Sequence, residues 1–203
     1  MAIYLVRHGQ DEEGYRGGWS QRGLINEGIG QAEKLGQYLN EHKHVYNIHR
    51  IVCSDLQRAY QTAAIIADKL GLPFQAFEDW REMNNGLLAG MPNPIAEERY
   101  PGLYFSSLRM DEKYPGGESP QENFVRIKET FTRLCQDQVS ANNHENVLVV
   151  THGGVINIIY HLMKDITWSN KNPFFPVANT GLHKIEYRDG RWELTLENAT
   201  PHL

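Results

Sequence analysis

Three short stretches of this 203-residue chain carry side chains able to act on an anion. Arg7-His8-Gly9 follows the apolar run Ile3-Tyr4-Leu5-Val6. Ser54-Asp55-Leu56-Gln57-Arg58 follows Arg50-Ile51-Val52-Cys53, and His152-Gly153-Gly154 follows Val147 to Thr151. Each β-branched, apolar run reads as a buried strand, so each motif sits at a strand's carboxyl end. In open α/β sheets that is where ligands bind. Taken singly, each motif has a bland reading. Arg-His-Gly also suits an ordinary surface pair, Arg58 can pair with Asp55, and His152 can rest on a backbone carbonyl. Taken together, two arginines, two histidines and two helix N-termini at one sheet edge make a pocket for a tetrahedral, multiply charged group. A neutral imidazole can attack phosphorus while arginine forks neutralise the equatorial oxygens. A proton must also reach the leaving oxygen, and Glu78, Asp79 and Glu82 are the nearby carboxyl candidates.

The elements that position these residues follow from periodicity. Asp11 to Gly23 is a Gly-rich, charged loop. Asn26 precedes a helical pattern with Ile29, Ala32, Leu35, Gly36 and Leu39 on one face. Ser54-Asp55 are good N-cap residues for a helix from about Leu56 to Leu70, stopped by Gly71 and Pro73. Phe74 to Phe77 reads as a third strand. From Asp79 to Gly117 glycines and prolines break the pattern, leaving one helical piece near Ile95 to Tyr100, and so long an irregular segment marks a binding loop. Ser119-Pro120-Gln121-Glu122 spells a capping box before a long helix through Phe124, Ile127, Phe131, Leu134 and Gln138. An apolar helix runs to about Met163, and a hairpin pairs Leu182–Tyr187 with Trp192–Glu197 around Asp189-Gly190. Alternating strands and helices predict a mainly parallel sheet covered on both faces.

Composition narrows the function classes. A net charge of −5 argues against general nucleic-acid binding, which needs a basic excess. No run is long enough to span a membrane and no signal peptide precedes the first strand. Two distant cysteines, Cys53 and Cys135, predict neither a disulfide framework nor a zinc site, and a cytoplasmic location fits. Cys53 and Arg58 stand one residue short of the Cys-x5-Arg loop of cysteine phosphatases, and Cys53 lies within a strand, as a small core residue would. His42, His44 and His49 cluster at a helix end without an acidic partner and read as solvated.

The ordered set of motifs resembles the histidine phosphatase superfamily, in the branch that contains cofactor-dependent phosphoglycerate mutase and its phosphatase relatives. The matching residues are Arg7-His8-Gly9, Gly23 to Gly28 with Gln31-Ala32, Ser54 to Ala59 with Gln61-Thr62-Ala63, Glu82 with Gly86 and Gly90, Gly116 to Ser119, and Thr151 to Ile156. The resemblance implies a three-layer α/β/α sandwich of the phosphoglycerate mutase type, one domain over 1–203 with a lid-like specificity insertion at 83–117. It implies a metal-independent phosphomonoesterase, of histidine acid phosphatase type, acting on a small phosphorylated metabolite. His8 would be the nucleophile that becomes phosphohistidine, Glu82 the proton donor, and Arg7, Arg58 and His152 the phosphoryl-binding catalytic groups, with Gly153 at the phosphate. Neither a metal nor an organic cofactor is implied, nor a nucleic-acid or membrane partner, and a homodimer is left open.

The departures bear on substrate. The family often places an Asn on the phosphate where this chain has Gly14, with Gln10 or Arg16 as substitutes for that contact. Asp11, Glu12 and Glu13 beside the pocket would repel very anionic substrates. The mutases carry paired arginines in a longer insertion, whereas Gly90 to Tyr114 has separated Arg99, Arg109 and Lys113. It offers instead Tyr100, Leu103, Tyr104, Phe105 and Leu108, either to line an apolar pocket or to pack the insertion onto the core. The reading is therefore a phosphatase, with a mutase-type phosphotransferase or a weakly active phospho-ligand sensor as alternatives.

Overall fold

The computed structural model describes residues 1–140 and 145–203. Six strands form one sheet in the order β3-β2-β4-β1-β5-β6, with β1 Ala2–Arg7, β2 Ile48–Ser54, β3 Phe74–Phe77, β4 Asn146–Thr151, β5 Leu182–Arg188 and β6 Arg191–Ala199. The first four are mutually parallel and β5 and β6 join antiparallel, so the sheet is mainly parallel as predicted. The β5–β6 turn holds Asp189 and Gly190 at φ of 50° and 84°, the primed geometry that matches strand twist.

Side chains of β1 alternate between two cores, as a strand buried on both faces requires. Ile3 and Leu5 pack with α5 (Pro120–Ser140) and α6 (Gly153–Met163). Tyr4 and Val6 pack with α1 (Asn26–Glu41) and α3 (Gln57–Leu70). The result is three layers, α/β/α. Two short helices, α2 (Lys43–Tyr46) and α4 (Asn93–Arg99), complete the helices among the described residues. The Ser119–Glu122 capping box forms reciprocally: Ser119 N–H donates to Glu122 Oε2 at 2.9 Å and Glu122 N–H to Ser119 Oγ at 3.2 Å.

Two caps differ from expectation. Ile25 rather than Asn26 caps α1, and Leu56 rather than Ser54 or Asp55 caps α3, neither with a side-chain bond. Ser54 and Asp55 are engaged elsewhere, Ser54 with His152 at 2.8 Å and Asp55 with Arg81 at 2.5 and 2.6 Å. The irregular segment after β3 holds α4, 3₁₀ turns and a small core of Met83, Leu88, Leu108 and Tyr114. Backbone bonds tie it to the Asp11–Gly23 loop: Arg16 N–H donates to Met91 O, and Gly90 N–H to Arg16 O.

Candidate active site

The ends of β1, β2 and β4 lie side by side because the parallel register pairs Arg7 with Thr151, and β2 pairs Cys53 with Val150. His8 N–H extends the ladder by one bond, donating to Thr151 O at 2.9 Å. Arg7, His8, Arg58, Glu82, Gly153 and Arg16 all face one cavity of about 660 Å³. Three distant segments thus converge.

The hydrogen bonds assign the proton on His8. Its Nδ1 lies 2.7 Å from Gly9 O, which can only accept, so Nδ1 carries the hydrogen. Nε2 is then the unprotonated nitrogen, and it accepts from Arg58 Nε at 3.2 Å. Burial, reinforced by Arg58 and Arg7, pushes His8 well below the ordinary histidine range, against the Gly9 bond. His8 is thus a buried neutral imidazole whose unprotonated nitrogen is held by Arg58.

Arg58 is locked by its other nitrogens, which donate to Ser20 O at 3.0 Å and Gly18 O at 2.8 Å. Its charge partner is Asp11, 3.6 Å away, rather than Asp55. Arg7 donates to Val177 O at 2.8 Å, while its buried Nε has no partner among the described residues. His152 is fully buried, its ring centroid 5.1 Å from that of His8, and it does not itself line the cavity. Ser54 Oγ accepts from Leu56 N–H and lies 2.8 Å from His152 Nε2, while the buried Nδ1 of His152 has no partner among the described residues. Arg7 Nε is the kind of unsatisfied donor that an anion completes. Burial first, then Arg58, His8 and Arg7, holds His152 well below the usual range.

Of the three carboxyl candidates for proton donor, Glu82 lines the cavity; Glu78 and Asp79 face Arg81 and Arg133 instead. Glu82 Oε2 accepts from Gly154 N–H at 2.9 Å and Oε1 from Met83 N–H at 3.1 Å. Its backbone oxygen accepts from Trp19 Nε1 and from Arg126, which also bonds Asp79 O and Arg81 O. Arg126 is therefore a strut from α5 to the loop that presents Glu82, a role that its helical position alone did not reveal.

Of the two substitutes for the Gly14 contact, Arg16 lines the cavity and Gln10 does not. The Gln10 amide donates to Glu13 at 3.4 Å, and its backbone is bound by Gln31. Asp11, Glu12 and Glu13 are all on the cavity wall. So is Arg22, which pairs with Glu12 and lies over the Tyr15 ring. Phe174 and Val177 also line it, from the segment after α6. Sequence reasoning passed over that segment, whose Pro173-Phe174-Phe175-Pro176 run was the available signal. The insertion's apolar residues divide between both expected roles: Leu108 packs in the small core, and Tyr104 and Phe105 line a second cavity. Cys53 is buried within β2 and its thiol is pushed up to about 12, so it is a core residue. Among the described residues His42, His44 and His49 form no metal-holding cluster, and no helix is long and apolar enough to cross a membrane.

Known proteins share both sequence and architecture. The chain is 29% identical to the uncharacterized phosphatase PhoE of Bacillus subtilis, over all of this chain and 96% of that protein. It is 28% identical to a metal-independent phosphoserine phosphatase of Arabidopsis thaliana, over 99% of this chain and 82% of that one. The structure of Bacillus stearothermophilus YhfR superposes with a TM-score of 0.80 at 25% identity, over 99% of this chain and 98% of the other. The family model for the histidine phosphatase superfamily (branch 1) matches residues 3–200. The site and these likenesses agree: the chain belongs to branch 1 of the histidine phosphatase superfamily, as a phosphatase-type enzyme.

Proposed function

We propose that the protein is a metal-independent phosphomonoesterase for a small phosphorylated metabolite, working by double displacement through His8. The observation that carries this reading is the neutral His8, its Nε2 unprotonated beside Arg58 and a carboxyl group in the same cavity. In the first step the Nε2 lone pair attacks phosphorus, the N–P bond forms and the P–O bond to the leaving group breaks. The Glu82 carboxyl gives its proton to the departing oxygen. Arg7 and Arg58 offset the charge on the equatorial oxygens, the α6 N-terminus at Gly153 adds neutral donors, and His152, packed against the His8 ring, completes the set of phosphoryl-stabilising groups. In the second step water attacks phosphorus, Glu82 carboxylate takes its proton, and the N–P bond breaks to restore neutral His8. Residues 83–117 serve as a lid and specificity insertion within a single domain spanning 1–203.

Phosphate release from p-nitrophenyl phosphate and a panel of alkyl esters, with chelator present, tests this reading. Wild type is expected to release phosphate and His8→Ala to fall at least about a thousandfold. No release from any ester, with inorganic phosphate still binding, overturns it in favour of a mutase or a phospho-ligand sensor.

A further inference from the structure

A second cavity of about 320 Å³ adjoins the first, at the small end of ligand sites but wide enough for one or two fused rings. The two share Arg16, Gly17, Gly18, Glu82, Gly154 and Phe174 in their walls. Beyond that common wall the second cavity turns aromatic, with Tyr104, Phe105 and Tyr114 from the insertion and Trp168 from the segment after α6. Trp168 is a fixed platform, stacked on Phe124 at 5.2 Å and 10° and set against Phe105 at 6.2 Å. Asn170 bolts the two segments together, its Nδ2 donating to Phe105 O at 2.7 Å and Leu108 O at 2.8 Å. Tyr104 and Phe174 form the rim, 45% and 59% exposed. These rings are preorganised rather than collapsed onto one another.

We infer that this second cavity receives the leaving group of the substrate and that the group is aromatic. The inference rests on the phosphomonoesterase reading of the first cavity. Glu82 stands in the wall common to both, with the phosphoryl-binding groups on one side and the rings on the other. An oxygen protonated by Glu82 lies at that boundary, so whatever it is attached to extends into the second cavity. The rings there favour a planar apolar group, since edge and face contacts add to the gain from burial. Charge points the same way. The cation on this wall, Arg16, already lies 4.1 Å from the Tyr104 ring centroid and 3.6 Å from Glu97. Asp11, Glu12 and Glu13 line the first cavity, Asp11 beside Arg58 and Glu12 beside Arg22. A leaving group bearing its own carboxylate meets the Glu82 carboxyl group in the common wall, and Arg16, the cation among the residues lining the second cavity, is shared with Glu97.

Phenethyl, n-butyl and serine phosphates separate these effects, because all three leave through a primary alkyl oxygen. The wild type is expected to favour phenethyl over n-butyl phosphate by about tenfold or more in kcat/KM, mainly through KM, and serine phosphate is expected to be poorest. Phe174→Ala and Tyr104→Ala, both at exposed positions, should each cut the phenethyl-to-butyl ratio by about threefold or more. A wild-type ratio near one, or a ratio that neither substitution moves, overturns the inference and leaves the phosphatase reading intact. If no ester is hydrolysed the phosphatase reading fails, and calorimetry with phenethylphosphonate and methylphosphonate still judges the cavity. Tighter binding of the phenethyl compound by about tenfold supports an aromatic subsite, and equal binding overturns it.

Discussion

Glu82 combines two demands that pull a carboxyl group in opposite directions. It is fastened by two backbone N–H groups, from Gly154 and Met83, and as the proposed acid it must also hold a proton for the leaving oxygen. Glu82→Gln keeps the shape and an acceptor for one of those donors but has no proton to give. On alkyl esters it is expected to lower kcat/KM, which reports only the steps up to departure of the alcohol, by about a hundredfold or more. On p-nitrophenyl phosphate, whose nitrophenolate departs without protonation, the loss should be much smaller. Rates on the two ester types measure the difference, and an equal loss on both would mean that Glu82 only braces the loop.

At the scale of elements, the joint between β1 and α1 brings backbone against backbone. Gly28 lies so close to the strand-end loop that a Cβ there would stand 2.0 Å from Gln10 O, and a Cβ on Gly9 would stand 2.4 Å from Gly28 O. Backbone meets backbone at both points, so no side chain can swing aside. Ile25 N–H donates to Gln10 O at 3.1 Å and Gln31 Oε1 accepts from Gln10 N–H at 2.9 Å, holding helix to loop. Gly28→Ala is expected to cost about 1–3 kcal/mol, read from the urea midpoint, by forcing α1 away from the loop that follows His8. The Gly23 to Gly28 motif was legible as a pattern, but the approach that requires a glycine at its end was not.

Across the whole molecule, buried neutral histidines couple stability to pH. His183, paired with Tyr160 at 2.6 Å, is pushed down to about 4 by burial, as is His202, and burial also lowers His8 and His152 inside the site. The unfolded chain takes up these protons near pH 6.5 and the folded one only much lower. Stability is therefore full above about pH 6.5 and is lost as pH falls towards 4. His183 alone accounts for about 3 kcal/mol of that loss. Urea unfolding at pH 7 and pH 4 is expected to show a drop that His183→Gln shrinks by about that amount.

What the sequence determined by itself is local and ordered along the chain. Strand alternation, the Ser119–Glu122 cap, the Asp189-Gly190 turn and the three strand-end motifs are read within a few residues, because backbone sterics and periodicity act at that range. Their order also carried the family and the identities of His8, Arg58 and Glu82 as candidates. Which partner each side chain chooses was decided only by tertiary structure. Asp55 is three residues from Arg58 yet binds Arg81, and Ser54 joins the start of the helix to His152. Arg58 turns from its own helix to Gly18 and Ser20, and Gln10 turns away from the cavity that Arg16 faces. The aromatic wall joins residues from 104 to 174 that no short pattern links. Hydrogen bonds and ring contacts form between whatever groups the packed layers bring within reach, and that adjacency exists only once the sheet order is set.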